Sequence, residues 1–272
     1  MPRQYALGLI GAGSMGSALA RGLVRRGALQ PAQLIVSDAD RARARALASE
    51  LNLRQGAHNA EVAAACRFLL LAVKPPDVEP VLQEIAASLG DDQTVVSIAA
   101  GVPLSRLQRA LGRAPAALVR VMPNMPALVG AGAFALAAPG LPEERVRELT
   151  AMLEALGDVV LIDEHLMDAV TGLSGSGPAF VFLMIEALAD GGVAAGLPRP
   201  VAQRLAVQTV LGAALAVRET GQHPGALKDA VASPGGTTIA GLAELERAGF
   251  RSALISAVRA AAARAREISQ GG

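Results

Sequence analysis

The sequence of 272 residues has no tryptophan, one tyrosine and five phenylalanines. So few aromatic faces leave no platform on which nucleic-acid bases could stack. Cysteine is scarce as well. Cys66 stands alone beside an apolar run, which excludes an internal disulfide and a cysteine metal site and suits a buried, inert thiol. The three histidines, His58, His165 and His223, are far apart and have no ligand spacing, so no metal is expected. A charge excess is missing too: the formal net charge is +1, which offers no basic patch to nucleic acid or to an anionic membrane. Lysine occurs only as Lys74 and Lys228. The first residues, Met1-Pro-Arg-Gln, lead straight into an apolar stretch and lack the longer apolar region and cleavage site of a signal peptide. The later apolar run 180–185 is too short to cross a bilayer and stops at Glu186. A soluble, cytoplasmic chain is expected, with 52% hydrophobic residues to form its core.

What is present begins with Tyr5-Ala-Leu-Gly-Leu-Ile10, a run of the kind found in buried parallel strands. It feeds Gly11-Ala-Gly13-Ser14-Met15-Gly16 and then a helical pattern through Leu19, Leu23 and Arg26. This is Gly-x-Gly-x-x-Gly after a strand and opening a helix, the fingerprint of a Rossmann-type dinucleotide site. The glycines allow a tight turn and bring a pyrophosphate close to the helix N-terminus. Gly11, Gly13, Ser14, Met15 and Gly16 are therefore cofactor-binding candidates.

A second strand, 33–36, ends at Ser37-Asp38. Ser37, followed by Arg41 and Arg43, suits the 2′-phosphate of NADPH, whereas Asp38 turned inward suits the ribose of NADH. The residues leave both readings open. Alternation continues with helices at 40–51 and near Glu61, then a strand at 68–73 that runs into Val73-Lys74-Pro75-Pro76. Strand ends in such a sheet face the ligand cleft, which makes Lys74 a candidate for phosphate or ribose. Next are a helix at 77–89, a strand at 94–98 with the turn Ala99-Ala100-Gly101, and a helix at 104–111. The strand 118–121 leads into Met122-Pro-Asn124-Met-Pro126, whose prolines make a rigid turn that Asn124 could cap. A strand at 133–137, a helix at 143–156 and a strand at 158–162 complete the sheet.

After Asp163 the pattern is helical throughout. The expected architecture is a Rossmann-like α/β domain over residues 1–163 and an all-α dimerisation domain over 164–272. Leu173-Ser-Gly-Ser176-Gly-Pro178-Ala179 interrupts the first helix, and Ser176 is either an N-cap or part of a binding cleft. Residues 200–217 are apolar nearly all round, which implies burial on most faces. The last helix carries a stripe of Leu254, Val258, Ala261, Ala265 and Ile268 at steps of three and four. A bundle this small has little interior for such helices, so a second copy is expected to cover them, in a homodimer at least. No disordered tail is expected beyond Gln270-Gly-Gly.

Between two helical segments lies Ser233-Pro234-Gly235-Gly236-Thr237-Thr238. The proline stops one helix, the glycines permit unusual turns, and the threonines stand where the next helix starts and can cap it. Backbone N–H groups at the positive end of a helix suit a small carboxylate. This run, extended by Ile239, Gly241-Leu242 and Leu245-Glu246, closely resembles the signature of pyrroline-5-carboxylate reductases. The glycine loop, Val-Lys-Pro, Met-Pro-Asn-x-Pro and Gly-Ser-Gly-Pro-Ala occur in that family's order, so the resemblance covers essentially the whole chain.

The resemblance implies hydride transfer from NADPH, with NADH as an alternative, to a cyclic imine, giving L-proline. It implies that Val73, Lys74, Pro75, Ala100 and Asn124 join Ser37 and the glycine loop at the cofactor. It implies further that Ser176, Ser233, Gly235, Gly236, Thr237 and Thr238 bind substrate, with Thr238 as the catalytic candidate at the ring nitrogen. Phe180 stands where the family often has tyrosine, a difference of one hydroxyl. A β-hydroxyacid dehydrogenase would carry a lysine one turn into the helix, and residues 179–190 contain none. A non-catalytic dinucleotide sensor would have little need of the 233–238 loop.

Overall fold

The computed structural model describes residues 3–112 and 116–270; Gly271 and Gly272 lie outside the described residues. By compactness the chain forms two units, Met1–Gly175 with Ala260–Gly272, and Ser176–Arg259.

In the first unit, β1 (Tyr5–Ile10), β2 (Leu34–Ser37), β3 (Arg54–Gln55), β4 (Cys66–Leu71), β5 (Thr94–Ser97), β6 (Ala117–Met122), β7 (Gly132–Ala137) and β8 (Gly157–Leu161) form one sheet. Its order is β3-β2-β1-β4-β5-β6-β7-β8. All neighbours are parallel except β6 and β7. Between the strands run α1 (Ser14–Arg25), α2 (Arg41–Leu51), α3 (Asn59–Ala65), α4 (Val78–Ile85), α5 (Leu104–Leu111) and α6 (Glu143–Glu154).

The central strands β1, β4 and β5 are apolar and buried because helices cover both faces, whereas the edge strands β3 and β8 are largely exposed. Along β4, Phe68 and Leu70 enter one core with Leu7, Leu19, Val96 and Phe134. Leu69 and Leu71 enter the other, with Ile10, Val62, Leu82 and Leu107. The two-residue β3 was not evident in the sequence. The helix expected over 77–89 is shorter, because Pro75–Asp77 and Ala86–Ser88 form 3₁₀ turns at its ends.

Buried polar groups fasten the loops. Gln93 donates to the carbonyls of Ala63 at 2.6 Å and Cys66 at 2.5 Å and accepts from the Gly90 amide at 2.8 Å. Arg120, buried on β6, donates to Glu164 at 2.9 Å, and the same carboxylate oxygen accepts from the Leu104 amide at 2.6 Å.

The helical stretch begins with α7 (Met167–Val170), which packs Met167 against Ala135 and Ala137. A π turn at Thr171–Gly175 follows. Then come α8 (Gly177–Ala194), α9 (Arg199–Thr220), α10 (Pro224–Ala230), α11 (Thr237–Arg247) and α12 (Phe250–Ser269). The interruption expected around 173–179 is thus the π turn, and α8 starts at Gly177 with Pro178 in its first turn, where a missing N–H costs nothing.

The division after residue 163 expected from sequence falls inside the first compact unit. Two contacts explain this: α7 rests on β7, and the end of α12 returns to the same unit. There Ile268 packs against Gly101, and the Ser269 hydroxyl donates to Asp168 at 2.8 Å.

Within the second unit, α8 and α9 meet through Ala189, Ala202 and Ala206. The larger apolar side chains are not covered in the single chain. Leu183 is 66% and Leu205 52% exposed. In the last helix only Ala265 of the expected stripe is buried. The apolar run at 180–185, read from sequence as too short for a membrane, belongs to a helical stretch spanning 164–194. That stretch and the helix over 199–220 are long and apolar enough to cross one by length and composition.

Glu164→Ala leaves the Arg120 guanidinium buried without its partner and should lower stability by about 3 kcal/mol, read from the urea midpoint. Burial pushes the Cys66 thiol up to about 12. An unfolded thiol ionises near about 8.5, so this stabilisation is complete below that pH and is lost as pH rises towards about 12. A thiol reagent at pH 8 should therefore label Cys66 only after denaturation.

Candidate active site

The glycine loop joins β1 to α1, and close approach dictates its glycines. Gly11 has φ +106°, and a Cβ there would lie 2.6 Å from the Ala72 carbonyl oxygen. A Cβ on Gly16 would collide with the Gly11 carbonyl. Gly13, by contrast, faces open space and is the N-cap of α1, with no side chain bonded to the helix end. Among the described residues the amides of Ser14, Met15 and Gly16 have no acceptor, and no acidic residue occupies the first turn. Free N–H groups at the positive end of a twelve-residue helix, with space before them, fit a pyrophosphate.

The loop is held from two sides. The Ser17 hydroxyl donates to the Ala12 carbonyl at 2.8 Å, and the Ala12 amide donates to the Asp38 carboxylate at 2.6 Å. Asp38 therefore points inward. Ser37 is buried, and its hydroxyl donates to Asn59 at 2.8 Å, so it does not present a free hydroxyl. Asn59 was missed in the sequence because no spacing announces it; it stands at the start of α3 and donates onward to Glu84 at 2.8 Å.

Val73, Lys74 and Pro75 follow β4, whose end lies beside β1. Lys74 is exposed and makes no ion pair or side-chain hydrogen bond among the described residues, leaving its ammonium available to an anion. Ala100 lies in the turn after β5, half-buried. The first unit thus brings the ends of β1, β2, β4 and β5 to one side of the parallel sheet, where such folds bind ligands.

Asn124 is buried and its amide is spoken for at both ends. Its Nδ2 donates to the Ser174 carbonyl at 3.1 Å, and its Oδ1 accepts from the Ala133 amide at 2.9 Å. It ties the π turn to the start of β7.

In the second unit, the 233–238 loop joins α10 to α11. Gly235 has φ +67°, and the Gly236 amide donates to the Ser233 carbonyl at 3.1 Å. The structure corrects one expectation: neither threonine caps the helix. Gly236 is the N-cap, no side chain bonds there, and Thr237 and Thr238 are the first two helical residues. As a result the amides of Thr237, Thr238 and Ile239 have no acceptor among the described residues. A Cβ on Gly236 would collide with the Ser233 hydroxyl, so a glycine is needed to keep that hydroxyl beside the helix end. Ser176 is the N-cap of α8, and its side chain makes no bond to the helix amides.

A family model described as pyrroline-5-carboxylate reductase dimerisation matches residues 164–268, and one described as NADP oxidoreductase, coenzyme F420-dependent, matches 6–101. The chain is 49% identical over 265 residues to a pyrroline-5-carboxylate reductase of Synechocystis sp., covering 97% of this chain and 98% of that one. The chain belongs to the pyrroline-5-carboxylate reductase family.

Solved structures agree. A pyrroline-5-carboxylate reductase from Coxiella burnetii superposes with a TM-score of 0.90 at 32% identity, covering 98% of this chain and 99% of that one. The Plasmodium falciparum pyrroline carboxylate reductase with NADP bound gives 0.86 at 32% identity, covering 99% and 100%.

Within this pyrroline-5-carboxylate reductase fold, removing the Asn124 amide strands a buried N–H and a C=O. Asn124→Ala should cost about 2–4 kcal/mol, measured by denaturation. Asn124→Asp should not restore the loss, because a carboxylate oxygen would face the Ser174 carbonyl.

Proposed function

We propose that the chain reduces pyrroline-5-carboxylate, a small cyclic imine, to L-proline, the last step of proline synthesis. The observation that carries this reading is near full-length identity to reductases of that name, together with an uncapped helix start at Thr237 suited to the substrate carboxylate. A bound reduced nicotinamide dinucleotide, NADPH or NADH, supplies the hydride.

The residues have separate tasks. The amides of Ser14, Met15 and Gly16, framed by Gly11 and Gly13, hold the pyrophosphate. Val73, Lys74, Pro75 and Ala100 border the cofactor, with Lys74 offering a positive charge. Ser37 supports the ribose end through Asn59, and Asn124 fixes the turn that places the nicotinamide. Gly235, Gly236, Thr237 and Thr238 hold the carboxylate by backbone N–H groups, with Ser233 adding a hydroxyl. Ser176 borders the substrate.

Thr238 orients the imine. A protonated ring nitrogen donates to the Thr238 hydroxyl oxygen, which fixes the electrophilic carbon without a strong acid. The absence of an obvious catalytic histidine or lysine from the sequence is consistent with this reading, because the reaction needs orientation more than proton transfer.

The matched dimerisation family and the exposed apolar faces of α8, α9 and α12 support assembly as a homodimer or larger homo-oligomer through the helical domain, 164–272. On this reading those faces meet protein, not lipid, and the enzyme works in the cytoplasm without nucleic-acid or membrane partners.

Absorbance decay of NADPH and NADH with pyrroline-5-carboxylate tests the reaction directly; no oxidation of either would refute it. Thr238→Ala should lower kcat by about tenfold or more, as for a lost transition-state hydrogen bond. Unchanged turnover would remove that role. Sedimentation should find no monomer at micromolar concentration.

A further inference from the structure

At the end of the sheet opposite the glycine loop lies a cleft of about 460 Å³, lined among others by Arg3, Tyr5, Gln33, Arg67, Asp92 and Arg145. Tyr5 opens β1 and Arg67 stands at the start of β4. Gln33 and Asp92 lie just before β2 and β5, and Arg145 is in the first turn of α6. Because β1, β2, β4 and β5 are parallel, these residues share the N-terminal ends of the strands. The glycine loop and the turn at Lys74 leave from the C-terminal ends. The cleft is therefore separate from the cofactor residues.

Its three arginines are not equally engaged. Arg3 is a fixed wall: Nε and Nη2 donate to the Asp92 carboxylate at 3.2 and 2.6 Å, and Nη1 donates to the Ala64 carbonyl at 2.7 Å. Arg67 meets Glu148 at 2.9 Å through one nitrogen, and a guanidinium carries five N–H donors, so most of its donors remain. Arg145 is half-buried and forms no ion pair among the described residues; its one bond, to the Gln93 carbonyl, is long at 3.5 Å. Among the lining side chains and their direct partners, three guanidinium groups thus stand against two carboxylates, and the surplus charge is that of Arg145. A cation held partly out of water without a partner is unfavourable, and a bound anion relieves it through charge-assisted bonds.

A second observation points to a ligand. Tyr5, the only tyrosine in the sequence, is 9% exposed, and its hydroxyl has no partner among the described residues. It is not sealed in, because only the Thr94 and Thr150 hydroxyls are both enclosed and unpartnered there. Buried tyrosine hydroxyls usually find a partner, and the cleft is where one can enter. Gln33 Oε1 accepts from the Gln30 amide at 2.8 Å, which leaves its Nε2 as a further donor. We propose that this cleft binds a small phosphomonoester. Its phosphate takes N–H donors from Arg145 and Arg67, whose positions on two different elements suit a group with three oxygens. The Tyr5 hydroxyl and the Gln33 amide meet the hydroxylated body of the ligand, for which the cleft has room beyond a bare phosphate. This site is independent of the reduction proposed above.

Isothermal titration calorimetry of the full-length protein with glycerol 3-phosphate tests the proposal. One molecule should bind per chain, and binding should persist with NADPH present, because the glycine loop lies at the other end of the sheet. Arg145→Ala should weaken binding by about tenfold or more, as for a lost charged hydrogen bond. Tyr5→Phe keeps the ring and its packing and should weaken binding by about two- to tenfold, as for a lost neutral one. Malonate, a dicarboxylate, should bind more weakly than glycerol 3-phosphate. Absence of glycerol 3-phosphate binding by the wild type would overturn the proposal, as would binding that neither substitution weakens. Displacement by NADPH would put the phosphate at the glycine loop and overturn it too. Malonate binding as tight as that of glycerol 3-phosphate would overturn the assignment to phosphomonoesters.

Discussion

The N-terminal unit depends on how closely the first turn of α1 approaches the loop from which it springs. The Gly11 carbonyl occupies the place of a Cβ on Gly16, and Gly11 in turn lies against the Ala72 carbonyl. Three backbones therefore meet with no side chain between them. Because they do, only the short glycine loop separates β1 from α1, and the first-turn amides of α1 have no capping side chain. The same contact fixes the end of β4, from which Val73, Lys74 and Pro75 emerge. A methyl group at either glycine would have to displace backbone, not a flexible side chain, and so would move the anion site and the β4 turn together.

The helical unit faces a different constraint. Its interior contact, through Ala189, Ala202 and Ala206, is made of small side chains that bring two helices close but bury little area. Phe182, Leu183, Leu205 and Leu211 remain substantially exposed. Burying such a side chain contributes about 1.5–3 kcal/mol, so several left in water represent a large unused stabilisation. Exposed apolar patches of this kind mark interaction surfaces. Membrane crossing would cover them equally well by composition. Membership of a family with a named dimerisation domain favours protein as the cover.

Most of the sheet was legible because its strands are short apolar runs, buried on both faces in the centre, although β8 at the edge is exposed. The expected strands at 94–98, 133–137 and 158–162 agree with β5, β7 and β8 to within a residue at each end. β3, with two residues, carries no such run. The glycine loop and the 233–238 loop could be placed from glycine and proline positions, but the orientations that matter there could not. Nothing in the sequence says that Asp38 turns to the Ala12 amide, that Asn59 takes the Ser37 hydroxyl, or that Gly236 and not a threonine begins α11. Such facts depend on side-chain torsions set by neighbours distant in the chain. The nearly all-round apolar character of α9 and the stripe of α12 were read as burial, whereas in the single chain only Ala202, Ala206 and Ala265 of these helices are buried, because composition and periodicity do not say whether the same chain supplies the cover.

The π turn at Thr171–Gly175 has a consequence for how this chain tolerates change in length. A π turn holds roughly one residue more than the α-helical turn it replaces. One residue corresponds to about 100° of rotation around a helix axis. Shortening the turn by one residue would thus swing the Ser174 carbonyl away from the Asn124 amide that donates to it within the first unit. Replacement of a side chain within the turn leaves that angular phase untouched. Segment 171–175 therefore acts as a phase register, in which residue number is more tightly constrained than residue identity.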